Sequence, residues 1–469
     1  MYATFTEVKS ALSSGKSVTD ILETYLNNIQ EKATINAFIE VFETSSREQA
    51  LRVDEKIKVG TAGKLAGMVI GLKDNLCYKG HKVSSSSRIL ENFESLYSGT
   101  AVQRLIDEDA IIIGRLNCDE FAMGSSNETS YYGPVKNPLN EALVPGGSSG
   151  GTAAAVVANL CTVALGSDTG GSIRQPASFT GTIGLKPSYG RISRYGLIAY
   201  ASSFDQIGPI TNDLKDAALL LEIMAGKDEY DNTVSSKPVD KYSDFQKPAK
   251  LKIAVLKESL ETEGVAPVVL ERTKAIIEKL KAEGHSIEYV SFPYLKYMVP
   301  AYYVLTTAEA SSNLSRFDGV HYGYRSPEVV GVEATYVNSR SEGFGEEVKR
   351  RIMAGTFVLS NEFYDSYYTK AQKVRRILRD KTDEIMKDFD FLVLPTTPDV
   401  AFELNGVKDP IQMYLQDIFT VHANHTGNPA ISLPLGKNEE GLPFGFQVMA
   451  NHFKEKEMFD FSNYLINLV

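Results

Sequence analysis

Gly146-Gly147-Ser148-Ser149-Gly150-Gly151 and Gly166-Ser167-Asp168-Thr169-Gly170-Gly171-Ser172-Ile173-Arg174-Gln175-Pro176 are two serine-bearing glycine loops, with Ser148 and Ser172 24 residues apart. Eleven of the chain's 36 glycines fall between residues 146 and 196. Glycine costs backbone entropy, so this density predicts backbone that turns tightly or approaches a ligand closely. The small, apolar spacer 152–165 ends in the strand-like Thr162-Val-Ala-Leu165, and the second loop then opens a helix. Gly170 and Gly171 leave amide N–H groups bare beside Ser172. Such groups hold a developing oxyanion, and losing one donor costs about 3–4 kcal/mol of barrier. A helix start there adds positive potential.

A serine hydroxyl is a weak nucleophile and needs a base. The six histidines, at 81, 285, 321, 422, 425 and 452, all lie far from both loops in sequence. A buried lysine can serve, because desolvation disfavours its charged form. Lys73 ends the apolar run Gly67-Met-Val-Ile-Gly-Leu-Lys73 and is the candidate, with Ser148 relaying the proton between Lys73 and Ser172.

Outward from this centre the pattern is α/β. Residues 67–73, a helix over about 100–107 and the run Ala110-Ile-Ile-Ile-Gly114 read as strand, helix, strand. Further on, 251–256 and 391–394 read as strands and 268–283 as a helix. The first 60 residues read as helical, with Ser17 or Thr19 capping a helix whose stripe is Ile21, Leu22, Tyr25, Leu26 and Ile29. The polar stretch 226–248 reads as an exposed excursion. One large domain is predicted, with 1–60 as a helical region, 61–212 as the catalytic core and 213–469 as the rest of the same fold.

Composition narrows the function classes. Forty-nine Lys and Arg against 59 Asp and Glu give a net charge of −10, which repels phosphate backbones and disfavours a primary nucleic-acid binder. No basic, apolar leader opens the chain, and no apolar run spans a membrane. Cys77, Cys118 and Cys161 are odd in number and without CxxC spacing, which fits a reducing cytoplasm; Cys118, followed by Asp-Glu, reads as the most exposed of them. Gly15-Lys16-Ser17 mimics the end of a P-loop, but position 10 is serine, so no nucleotide site is predicted.

The paired loops, the spacer and Gly184-Leu-Lys-Pro-Ser-Tyr-Gly190-Arg together resemble the amidase signature family. The resemblance implies one α/β/α domain on a large mixed sheet and a triad of Lys73, Ser148 as the cis-serine and Ser172 as the acyl-forming nucleophile. It implies an oxyanion hole from the backbone of Thr169, Gly170, Gly171 and Ser172, with no metal. Thr180 stands where many members have cysteine. The segments 302–304, 309–319, 340–345, 349–352, 191–196 and 203–209 resemble the glutamine-hydrolysing branch of that family. That likeness implies that Tyr302, Arg351 and Asp417 hold glutamine, with Arg350 the neighbouring alternative to Arg351. An arginine fork suits the α-carboxylate and a carboxylate suits the α-ammonium. It implies a cytoplasmic heterotrimer in which this chain carries no cofactor. It implies further that partner subunits B and C complete the assembly, that ammonia passes by tunnel to B, and that B, through which the tRNA is mainly held, uses ATP and Mg to amidate Glu-tRNA(Gln).

Other readings compete with this one. Gly146-Gly-Ser148-Ser-Gly150 fits the Gly-x-Ser-x-Gly elbow, which would make Ser148 the nucleophile and require a histidine. His422-x-x-His425 invites a metal, but packing is favoured, because no nearby glutamate completes a zinc motif. Asp168 reads as a loop anchor that accepts backbone hydrogen bonds. A free-standing amidase acting on other carboxamides, and a silent docking scaffold, are the rival functions.

Overall fold

The computed structural model describes residues 2–469 except 328 and 408. The strands are β1 (Phe38–Val41), β2 (Val69–Lys73), β3 (Ile111–Leu116), β4 (Val163–Asp168), β5 (Ile183–Lys186), β6 (Gln206–Thr211), β7 (Lys252–Leu256), β8 (Ser286–Val290), β9 (Phe391–Pro395), β10 (Ala430–Lys437) and β11 (Pro443–Ala450). They form one 11-stranded sheet in the order β1-β3-β2-β4-β6-β5-β10-β11-β9-β7-β8. The triplets β3-β2-β4 and β9-β7-β8 are parallel, and the remaining pairs are antiparallel. This is the mixed sheet expected of the α/β class.

Both faces of the sheet are covered. Along β7, Ile253 and Val255 join one apolar cluster, while Ala254 and Leu256 join another. Phe391 and Val393 alternate with Leu392 and Leu394 along β9 in the same way. Period-two alternation between two cores is what a sheet sandwiched by helices requires. The helix Val18–Glu31 buries Ile21, Leu22, Tyr25, Leu26 and Ile29 against the first core. Each such side chain contributes about 1.5–3 kcal/mol on leaving water. The helices Leu295–Asn313, Glu346–Leu359 and Lys370–Asp388 pack in the second core.

Ser17 caps the helix Val18–Glu31 in a reciprocal capping box with Asp20, which explains the Gly-Lys-Ser sequence without a nucleotide. The N-terminal region is helical except for β1, four half-buried residues that pair antiparallel with β3. The excursion 226–248 lacks helix and strand and is mostly exposed, but it buries Tyr242, whose hydroxyl accepts from Arg191. Cys118 corrects the reading of its sequence context. It is fully buried, its thiol in contact with Ser86 Oγ at 3.1 Å, and burial pushes the thiol up to about 12.

Candidate active site

Parallel strands β2 and β4 lie side by side, with Leu72 opposite Leu165. Their C-terminal ends therefore deliver Lys73, Ser167 and the loop that follows Asp168 to one edge of the sheet, where open α/β folds place their ligands. Every residue of β2 is buried, including Lys73. Its Nζ lies 2.7 Å from Ser148 Oγ and 2.9 Å from both Ser149 Oγ and Ser167 Oγ. Among the described residues it has no ion-pair partner. Burial lowers its amine to about 8, against the opposing pull of Cys118, Asp119, Asp168 and Asp205.

The Gly147–Ser148 peptide is cis. Two bonds stitch the two glycine loops together, and a third ties the second loop to Ser125. Ser149 N–H donates to Ser172 O (3.2 Å), Gly147 N–H to Gln175 Oε1 (2.9 Å), and Gln175 Nε2 to Ser125 O (2.8 Å). Ser172 Oγ has no hydrogen-bond partner among the described residues, so the expected Ser148–Ser172 link is not closed here.

Asp168 anchors the second loop. Its carboxylate accepts from Gly171 N (3.0 Å), Ile173 N (3.2 Å) and Asn424 Nδ2 (2.9 Å), and forks with Arg174 at 2.9 and 3.0 Å. Burial alone would raise this carboxyl; Arg174, Lys186 and Asn424 outweigh it and hold it at about 2. The expectation of bare amides needs one correction. The N–H groups of Thr169, Gly170 and Ser172 have no acceptor among the described residues, but that of Gly171 is engaged by Asp168. Gly171, at φ +139°, lets the chain turn so that this amide faces the carboxylate and not the cleft. The helix that follows, Arg174–Thr180, has only seven residues and starts after Ser172, so the loop amides rather than a long helix dipole supply the positive potential.

Tyr302 packs directly on the loop: a Cβ on Gly170 would lie 2.5 Å from Tyr302 Cζ. Tyr303 is the half-buried neighbour, stacked on Tyr414 at 3.8 Å. Arg351 is buried, whereas Arg350 is half exposed and pairs with Glu347. Arg351 donates through Nε to Glu347 (2.8 Å) and through Nη1 to Tyr200 Oη (2.8 Å). The end-on Nη1/Nη2 fork keeps hydrogens to offer. Asp417 accepts from Ser125 Oγ at 2.7 Å, and burial raises its carboxyl to about 7 against that bond and Arg351. A cavity of about 300 Å³ opens here, lined by Ser125, Glu347, Arg351 and Tyr414 among others.

All six histidines are occupied elsewhere. His81 contacts Ser45, His285 takes Leu251 N–H, His321 pairs with Asp318, His422 with Thr382, His425 with Met298 O and His452 with Asp383. Burial lowers both His422 and His425 to about 3, and no metal-ligating cluster occurs among the described residues. A Ser148 nucleophile fed by histidine has no support in this geometry. Thr180 bonds Pro176 O at 2.8 Å and does not touch the lysine. Sequence reasoning missed Ser149 and Ser167 as partners of Lys73. Each sits within a quoted motif, but only the strand pairing of β2 with β4 shows that they converge.

A family model for amidases matches residues 20–459. The chain belongs to the amidase family. This amidase is 48% identical over 463 residues to the A subunit of glutamyl-tRNA(Gln) amidotransferase from Chlorobium phaeobacteroides, covering 97% of each chain. It is 50% identical over 447 residues to the protein of that name from Koribacter versatilis, covering 94% of this chain and 93% of the relative. A crystal structure of the Thermotoga maritima protein of the same name superposes with a TM-score of 0.77 at 39% identity, covering 96% of this chain and 93% of that one. A bacterial aryl acylamidase at 22% identity shares the fold, with a TM-score of 0.87. No helix among the described residues is long and apolar enough to cross a membrane.

Proposed function

We propose that this amidase is the glutamine-hydrolysing component of a tRNA-dependent amidotransferase. The observation that carries the proposal is the Lys73 Nζ–Ser148 Oγ contact of 2.7 Å at the mouth of a loop with bare amides at Thr169, Gly170 and Ser172. Ser172 Oγ attacks the side-chain amide carbon of glutamine while its proton passes to Ser148, and the proton of Ser148 passes to Lys73. The oxyanion rests on the bare amides. Return of a proton through Ser148 to the leaving nitrogen releases ammonia and leaves a γ-glutamyl ester on Ser172. Water, deprotonated along the same route, then releases glutamate.

The choice of glutamine rests on Arg351 and Asp417, which offer a guanidinium to an α-carboxylate and a carboxylate to an α-ammonium. It rests also on full-length likeness to relatives named as glutamyl-tRNA(Gln) amidotransferase components. In this reading the chain acts in the cytoplasm with subunits B and C. The ATP, Mg and tRNA chemistry, ending in Gln-tRNA(Gln), belongs to the partner.

The test is glutamate release from glutamine by the chain assembled with its partner subunits. Ser172→Ala is expected to abolish both that release and glutamine-dependent amidation of Glu-tRNA, while added ammonia restores amidation. No glutamate from the wild-type complex would end the proposal. An Arg351→Ala variant that keeps full activity on a simple amide, in an enzyme that never used glutamine, would shift the reading to a free-standing amidase on other carboxamides.

A further inference from the structure

The helix Lys370–Asp388, the turn at Ser203 and the stretch after β11 enclose a second cavity, of about 590 Å³, on which none of Lys73, Ser148, Ser172, Arg351 or Asp417 opens. Lys237, Arg375, Arg376, Arg379 and His452 line it, and among the described residues no carboxylate side chain does. In a chain of net charge −10 this local excess of cations stands apart.

The excess is only partly compensated. Arg376 pairs with Asp380 at 2.7 Å, and Asp383 serves both Arg379 (3.8 Å) and His452 (3.4 Å). Lys237 has no carboxylate partner among the described residues, and its Nζ lies 4.5 Å from the centre of the Phe453 ring. Among the described residues Arg375 donates only to neutral oxygens, to His425 O at 3.1 Å and to Ser203 Oγ and O at 2.7 Å each, with its guanidinium 3.8 Å over Phe204. Glu309, the carboxylate nearest in charge effect, holds Ser203 through its amide (2.9 Å) and its hydroxyl. Burial pushes Arg375 below its usual value, against the opposing pull of Glu309.

Walls that offer guanidinium and ammonium groups without a lining acid suit a compact, multiply charged oxyanion. The volume lies in the range of small-ligand sites. We propose that this cavity binds a phosphate-bearing small anion, with Lys237 and Arg379 as the accessible contacts and Arg375 as the fixed floor. Free inorganic phosphate species and the phosphates of a nucleotide share this chemistry.

The full chain, alone and in its complex, is titrated with phosphate, pyrophosphate and ADP at an ionic strength held constant with KCl, and its unfolding midpoint is followed. A ligand bound only by the folded state raises that midpoint with saturation. Pyrophosphate is expected to do so, and binding is expected to weaken about tenfold or more in Lys237→Glu/Arg379→Glu. The milder Lys237→Ala, which removes one ring contact, gives a smaller loss and covers the case in which the double variant misfolds. ADP binding no more tightly than pyrophosphate identifies the free anion as the ligand; tighter ADP binding identifies a nucleotide. No shift beyond that of KCl, or equal shifts in the wild type and Lys237→Ala, overturns the proposal, and neither outcome bears on glutamine hydrolysis.

Discussion

Lys73 meets Ser148 across 2.7 Å as a buried amine that, among the described residues, bonds only to hydroxyls. A carboxylate in contact would fix the ammonium form; hydroxyls do not. Ser149 Oγ donates its hydrogen to Ser167 O at 3.1 Å, so it can only accept from the amine. Ser167 Oγ accepts from Asn75 Nδ2 at 2.9 Å and also from the amine. A neutral amine has two hydrogens and one lone pair. With Ser149 and Ser167 taking the hydrogens, the lone pair faces the hydroxyl of Ser148, which is the orientation a relay requires.

Lys73→Met keeps the apolar stem and removes the amine. Amide hydrolysis is expected to fall by about 10³-fold or more, within the usual worth of a positioned base. Lys73→Arg is expected to be as inactive, because a guanidinium does not give up its proton in this pH range. Steady-state rates on glutamine decide both. Single His→Ala variants at the six positions are expected to retain hydrolysis, and a dead histidine variant that remains folded would return the elbow reading to contention.

Asp168→Asn removes half of a fully buried pair and leaves Arg174 uncompensated. Breaking such a pair costs about 3–5 kcal/mol. The same carboxylate fixes the amides of Gly171 and Ile173, so activity is expected to fall further than stability alone accounts for. The denaturation midpoint, compared with kcat measured well below it, separates the two losses. A variant of wild-type stability would show that the pair is not a structural anchor.

How much of the fold is legible in the sequence depends on whether the information is local. The loops, β2, β3, β4, β7, β9 and the helix Pro267–Ala282 carry their own patterns of apolar runs, glycines and caps. The four-residue β1 has no such pattern, because all its residues are half-buried. The sheet order is set by pairings between distant segments, and with it the convergence of Ser149 and Ser167 on Lys73. Cys118 reads as exposed because its neighbours Asp119 and Glu120 are acidic, yet both are buried and hydrogen-bonded, Asp119 to Asn127 N and Glu120 to Ser87. Arg350 and Arg351 are indistinguishable until the helix Glu346–Leu359 fixes which of them faces inward.

Gly170→Ala tests the contact between the oxyanion loop and Tyr302. The added methyl would lie 2.5 Å from Tyr302 Cζ and 2.6 Å from its hydroxyl, so loop or ring must move. Overpacking of this kind costs about 1–3 kcal/mol. Because the shift displaces amides that must sit within hydrogen-bond distance of the oxyanion, kcat is expected to drop by about 10²-fold or more. Wild-type kcat in this variant would remove Gly170 from the stabilising set.

The pH profile separates the base from the clamp. Lys73 acts only as a neutral amine, and burial sets its midpoint at about 8, so its activity is lost as pH falls through that value. Asp417 attracts an ammonium only when ionised, and burial raises its carboxyl to about 7, so its binding is lost as pH falls through that lower value. Both limbs rise with pH. For glutamine, log kcat/KM of the free enzyme is expected to rise with a slope of about 2 below Asp417's midpoint, about 1 between the two midpoints, and then to level off. A primary amide lacking the α-amino group needs only the base, so its slope is expected to stay near about 1 throughout the acid range. Asp417→Asn is expected to weaken glutamine binding and delete the lower limb, leaving that of Lys73 in place. A glutamine profile with a single limb in the wild type would remove Asp417 from substrate binding while leaving Lys73 untouched as the base.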